Sequence, residues 1–202
     1  WKDSGKTELL CKAGAPKTFE MLAYSRSEKR MDKQGKAFLG VLKADVDNLG
    51  LLFSQGLRQK ESRVSFSRFA SLSRMLNHFF AQHLVAIIRN KHPNLYVVFS
   101  GGDDVLFLGP WLEVIDFSLT LQHEFQRYVA NNPDLTFSAG IGVFKPTLPI
   151  RELVRHTEAL LKRSKDHDQE TFEKNAVTLF DTTVEWQTFE RLLERGKWLG
   201  EK

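Results

Sequence analysis

Ser100-Gly101-Gly102-Asp103-Asp104 stands between two apolar runs, Tyr96-Val97-Val98-Phe99 and Val105-Leu106-Phe107-Leu108. Two strand-like runs joined by a glycine pair read as a tight β-hairpin, because glycine takes the positive φ that such turns require. Adjacent carboxylates at a hairpin tip repel each other and gain nothing from packing. The pair therefore points to a divalent cation that neutralises them. All the candidate ligands are oxygens, which suits a hard ion.

A second carboxylate cluster lies upstream. The apolar run Phe38-Leu39-Gly40-Val41-Leu42 leads into Lys43-Ala44-Asp45-Val46-Asp47-Asn48-Leu49-Gly50. An unbroken apolar strand is buried on both faces. A strand over 37–44 places Asp45 and Asp47 just past its end, one alternation apart and pointing the same way. A long helical stretch separates this strand from the hairpin, and strands joined by such a crossover run parallel. The returning hairpin strand slots between them, as in a split βαβ unit. Asp45 then faces Asp103 and Asp104 across one strand spacing, roughly 5 Å. Either cluster alone reads as well as a solvated loop or a helix cap. Together, each at the end of an apolar strand, they point to a metal–nucleotide site.

The chain of 202 residues is long enough for one domain with a full core plus accessory segments. With 42% hydrophobic and 27% charged residues it reads as an ordinary soluble protein, and no run reaches the ~20 apolar residues of a membrane span. Cys11 is the single cysteine, which excludes an internal disulfide or a cysteine zinc cluster and favours a cytoplasmic location. The net charge of +4 comes from residues 1–36, where nine Lys/Arg face five Asp/Glu. A further basic group, Arg58, Lys60, Arg63, Arg68, Arg74, Arg89 and Lys91 against Glu61 alone, lies on the crossover. It reads either as a phosphate- or RNA-facing surface or as a solvated helix face.

Along the chain, residues 1–35 read as a linker or the end of a preceding region, with one short helix over 18–24. Ser4-Gly5-Lys6-Thr7 lacks the leading strand and the earlier glycine of a P-loop. Apolar spacing predicts helices over 66–90, 111–129 and 150–165, a strand over 135–144 and a short strand over 176–180. Gly140 and Gly142 in the 135–144 strand allow close backbone approach. A last helix over 183–202 reads as the start of a following region, which leaves a domain over 36–182. The order βααββαβαβ implies an α+β fold, an antiparallel-rich sheet with helices on one face. His78, His83, His123 and His156 lie on predicted helices at no ligand spacing.

Leu42-Lys43-Ala44-Asp45-Val46-Asp47-Asn48-Leu49-Gly50, Phe99-Ser100-Gly101-Gly102-Asp103-Asp104 and Phe137-Ser138-Ala139-Gly140-Ile141-Gly142, in that order, resemble the second palm (GGDD, cyclase-like) domain of the large subunit of type III CRISPR effector complexes, Csm-type subfamily. The resemblance covers about 36–182 and implies a ferredoxin-like palm related to GGDEF nucleotidyl cyclases. It implies an ATP-binding nucleotidyltransferase that makes cyclic oligoadenylate second messengers when the complex binds target RNA. Partners would be guide RNA–protein subunits and target RNA, reached through the full-length protein, with no membrane.

By the same likeness Asp103 and Asp104 are catalytic. With Asp45 and Asp47 they would hold Mg2+ or Mn2+. Ser100, Gly101, Gly102 and Lys165 would bind the nucleotide. Lys165 also reads as a lysine at a helix C-terminus, where the dipole favours a cation. The family carries two palms and often an HD nuclease domain. Only one palm is present, and His167-Asp168 in a polar run is not that nuclease site. If ATP sits between two palms, the 202-residue chain alone is expected to be inactive or nearly so. Two other readings stand beside this one. The first is a GGDEF-type cyclic dinucleotide cyclase, against which Val105 replaces the expected Phe. The second is a non-catalytic palm-like scaffold that docks other subunits.

Overall fold

A computed structural model describes residues 17–24, 37–52, 66–166 and 174–200, with the side chains of 197–200 left aside. Ser4-Gly5-Lys6-Thr7, most of the expected linker, Arg58, Lys60, Arg63 and the pair His167-Asp168 lie outside the described residues.

The chain runs α1 (Phe19–Tyr24), β1 (Leu39–Val46), a short α2 (Leu49–Leu51), α3 (Phe66–His78), a π-helical turn (Phe79–His83), α4 (Leu84–Lys91), β2 (Tyr96–Gly101) and β3 (Asp104–Pro110). It continues through α5 (Trp111–Tyr128), β4 (Phe137–Phe144), α6 (Ile150–Lys165), β5 (Ala176–Leu179), β6 (Thr182–Glu185) and α7 (Trp186–Gly200). The strands form one sheet in the order β2-β3-β1-β4-β5-β6. Every neighbouring pair is antiparallel except β4–β5. β3 lies between β2 and β1, so the hairpin strand occupies the slot expected of it, and β1 and β2 run parallel.

Helices cover both faces of the sheet, not one. Alternation along β1 sends Leu42, Ala44 and Val46 into a core with Phe79, Phe80, Phe117, Phe125 and Phe137. Leu39 and Val41 point the other way, into a second core with Leu22 of α1, Leu106, Leu108 and Leu153 of α6. A strand apolar at every position needs cover on each side, and α6 together with α1 provides the second layer. The side chains at Lys43 and Asp45, in phase with Leu39 and Val41, therefore emerge on the α6 face.

Three further differences from expectation bear on the site. β1 extends to Val46, because it is paired on both sides as far as Asp45, so Asp45 belongs to the strand rather than to a loop beyond it. The 66–90 helix carries a π turn: the Leu84 N–H bonds to the Phe79 carbonyl, leaving the Phe80 carbonyl without its usual helical partner. The segment after β5 makes a tight turn at Phe180 and Asp181, both at positive φ (49° and 59°), into β6. The boundary at 182–183 thus falls inside a strand. α7, expected to open a following region, buries Trp186 and Phe189 in the main core, and the Trp186 indole donates to the Phe137 carbonyl at 2.9 Å.

Candidate nucleotide site

The hairpin closes as its sequence requires. β2 ends at Gly101, β3 begins at Asp104, and Gly102 at the first turn position has φ 67°. Glycine at that position with positive φ is the pattern of a two-residue hairpin turn. A Cβ built on Gly102 would meet nothing within 4 Å, so the tip is open to an approaching ligand. Two contacts dock the hairpin onto the helix beneath it. The Gly102 N–H donates to Asn77 Oδ1 at 3.3 Å, and the Ser100 hydroxyl donates to the Phe80 carbonyl at 2.6 Å. The carbonyl freed by the π turn is thus the one that Ser100 caps.

Asp45 and Asp104 are register partners across β1 and β3. The Val46 N–H bonds to the Asp103 carbonyl at 3.0 Å, which makes the adjacent Asp45–Asp104 pair the non-hydrogen-bonded kind. In such a pair the Cα atoms are about 4.5 Å apart and the side chains approach most closely. Two remote stretches of chain thereby bring two carboxylates to one rim. Asp103 sits in the turn beside them, its carbonyl tied to β1.

Asp47 does not join this pair. Its residue is 1% exposed, and its Oδ2 accepts from Thr136 Oγ1 at 2.9 Å and from the Asn175 N–H at 3.0 Å. It ties the end of β1 to the segments leading into β4 and β5. Burial pushes its carboxyl pKa up, against the lowering effect of hydrogen bonds from Asn175, Ser138 and Thr136 and of the Lys165 charge. Burial also pushes Asp104 up; Lys43 opposes that, while Asp45 and Glu158 add to it.

Lys165, at the C-terminal end of α6, donates to Asp45 Oδ2. Sequence reasoning missed the companions of this pair. Lys43, two residues before Asp45 on the same face of β1, lies 3.7 Å from Asp104 Oδ2 and forms an ion pair with Glu158 of α6. Burial lowers the Lys43 pKa, but the hydrogen bond to Glu158 and the charges of Asp104, Glu158 and Asp45 outweigh it, and the net shift is upward. The signal for both was present. Lys43 shares the parity of Asp45, and Glu158 lies seven residues, two helical turns, before Lys165. Asn77, Thr136 and Asn175 carried no such signal.

Among the described residues, no group of three or more His, Cys, Asp or Glu side chains forms a ready metal cage. A divalent ion of the magnesium type is held by one or two carboxylates plus substrate phosphates rather than by an all-protein cage. The Asp45–Asp104 pair fits that pattern. Asp104 Oδ1 is buried with no hydrogen-bond partner, so an oxygen lone pair is available beside the rim.

Residues 38–178 match the family model described as Cas10/Cmr2, second palm domain. The chain belongs to the Cas10/Cmr2 second-palm family. Its relatives include the CRISPR system single-strand-specific deoxyribonuclease Cas10/Csm1 (subtype III-A) of Methanocaldococcus jannaschii, 33% identical over 178 residues that cover 79% of this chain and 22% of the relative. The protein of the same name from Enterococcus italicus is 39% identical over 164 residues, covering 79% of this chain and 20% of its own length. This Cas10 palm therefore spans about a fifth of the curated relatives it matches.

Among solved structures, the Csm1–Csm4 cassette in complex with AMPPNP superposes with a TM-score of 0.70 at 28% identity, covering 90% of this chain and 26% of the other. The cassette in complex with cA4 gives a TM-score of 0.71 at 27% identity, covering 90% and 27%. The palm fold expected from the motifs is thus the fold of the family. Among the described residues, no helix is long and apolar enough to cross a membrane.

Proposed function

We propose that this Cas10 palm is the nucleotidyltransferase palm of a type III CRISPR large subunit, joining ATP into cyclic oligoadenylates, with Asp45, Asp103 and Asp104 at the reacting end. The Asp45–Asp104 register pair carries this reading. The pair sits at an open hairpin tip rather than in a packed core, and Asp104 Oδ1 has no hydrogen-bond partner, so carboxylate oxygen is available there to a cation. The neighbouring Csm1–Csm4 cassettes bound to AMPPNP, ATP and cA4 support an adenine nucleotide as the ligand class.

Asp45 and Asp104 would hold Mg2+ or Mn2+, with Asp103 beside them. Held there, the ion would supply Lewis-acid polarisation of the α-phosphate and charge to offset the pyrophosphate that leaves when a ribose 3′-hydroxyl attacks. The remaining contributions come from the chain. The open Gly101–Gly102 backbone lets the triphosphate approach closely. Asn77 and Ser100 hold the hairpin against α3 and the π turn so that the carboxylates stay in register. Lys165 and Lys43 supply positive charge at the rim. Asp47 serves as a strut that sets the end of β1. Partner subunits, guide RNA and target RNA act through the longer protein.

The experiment compares wild type with Asp45→Asn and Asp104→Asn in a reconstituted complex supplied with target RNA, Mn2+ and either ATP or GTP. Oligoadenylates from ATP, lost at least a hundredfold in either variant, support the reading. Equal divalent-dependent ATP binding by wild type and Asp103→Ala/Asp104→Ala would favour a scaffold, and preferential turnover of GTP a GGDEF-type cyclase.

A further inference from the structure

The facing carboxylates of the rim already have lysine partners within the fold. Lys165 donates to Asp45 Oδ2, and Lys43 Nζ lies 3.7 Å from Asp104 Oδ2. Asp45 thus has its own ammonium group, and Asp104 shares that of Lys43 with Glu158. Neither lysine is a freely solvated surface cation, since the two side chains are 18% and 22% exposed. Glu158 holds Lys43 from α6, and the same helix delivers Lys165 two turns later. The helix cannot withdraw from the sheet without losing its seat. A Cβ on Gly140 would come within 2.4 Å of the Leu161 backbone nitrogen, so α6 rests directly on β4.

A divalent ion on Asp45 and Asp104 carries the same charge as the two ammonium groups and needs the same oxygens. Lys165 already occupies Asp45 Oδ2, so lysine and metal compete there. We propose that Lys165 and Lys43 are internal counter-cations of the carboxylate pair, which a divalent ion must displace, so that metal loads together with a triphosphate able to accept the displaced ammonium groups. This rests on the nucleotidyltransferase reading and concerns the regulation of that site. The order of binding follows from it. Metal alone meets carboxylates already engaged by lysines and binds weakly, whereas a triphosphate gives the lysines new partners and frees the carboxylates.

The test is Mn2+ binding by the 202-residue chain, read as loss of the free Mn2+ electron paramagnetic resonance signal, with and without a non-hydrolysable ATP analogue. Lys165→Met and the Lys43→Met/Lys165→Met double variant are compared with wild type. Lys162→Met, in the exposed last turn of α6, controls for bulk charge. Without nucleotide, Lys165→Met should bind Mn2+ about tenfold more tightly than wild type, the double variant should do so at least as strongly, and Lys162→Met should stay within about twofold. A thermal midpoint lowered in the double variant and restored by Mn2+ supports the proposal independently. Unchanged or weaker Mn2+ affinity in Lys165→Met overturns it while leaving the site assignment standing. Mn2+ binding undiminished in Asp45→Asn/Asp104→Asn removes the site assignment itself, and the proposal with it.

Discussion

At the scale of single residues, three acids that look alike in sequence have different surroundings. Asp45 and Asp104 are opposed at an open rim, and Asp104 also lies 3.7 Å from Lys43, so replacing it removes one repulsive and one attractive contact. Asp104→Asn is expected to leave the thermal midpoint unchanged or slightly raised while abolishing nucleotide turnover. Asp47 should behave in reverse. Its buried carboxylate satisfies the Thr136 hydroxyl and the Asn175 N–H, and Asp47→Ala strands both donors at a cost of about 2 kcal/mol in urea denaturation.

The pH dependence of Asp47 has a definite sign. A carboxyl whose native pKa is raised binds its proton more tightly when folded. Its contribution to stability is therefore full below the ordinary carboxylate value of about 3.9 and is lost as pH rises through the raised native value. Measured against Asp47→Asn, which does not titrate, wild type should lose relative stability as pH rises above the ordinary carboxylate value of about 3.9. A difference independent of pH would contradict the burial of that charge.

At the scale of elements, two contacts between helix and sheet set the site. Gly140 lets α6 lie against β4. Gly140→Ala forces a methyl group into the Leu161 and Thr157 backbone and should cost about 2–3 kcal/mol, with displacement of Glu158 and Lys165 visible as weaker nucleotide binding. The π turn exposes the Phe80 carbonyl that Ser100 caps. Ser100→Ala should cost about 1 kcal/mol and loosen the hairpin, read as faster amide exchange at Gly102.

The hairpin, the long amphipathic helices and the slot of β3 were legible because they depend on short-range signals: a glycine pair, the 3.6-residue period and the handedness of crossovers. β6 was not. Thr182-Thr183-Val184-Glu185 contains a single apolar residue, and its turn uses Phe180 and Asp181 at positive φ in place of Gly or Asn. The π turn was equally silent, since one extra residue in a helical turn barely disturbs an amphipathic pattern. Lys43 and Glu158 carried a parity signal whose meaning required knowing that α6 packs on that face.

At the scale of the whole molecule, helices cover both faces of the sheet and α7 packs into the same core. Trp186 is 3% exposed, packs tilted against Phe137 with ring centroids 5.1 Å apart, and donates to its carbonyl. Trp186→Ala should therefore cost about 3–5 kcal/mol while the protein still unfolds in one transition. A separate low-temperature transition for residues 186–200 would show α7 to be an appendage.

The family, the hairpin and the convergence of Asp45 with the Asp103–Asp104 tip follow from local sequence, because strand alternation and turn chemistry act within a few residues. Which acids share a site was decided only by tertiary packing. Asp45 and Asp47 are one alternation apart in the chain, yet pairing on both sides of β1 holds Asp45 at the rim, while the turn after Val46 drives Asp47 into the junction of β1, β4 and β5. Opposite fates for neighbouring carboxylates depend on where the desolvation penalty falls, and that is set by residues 89 and 128 positions away.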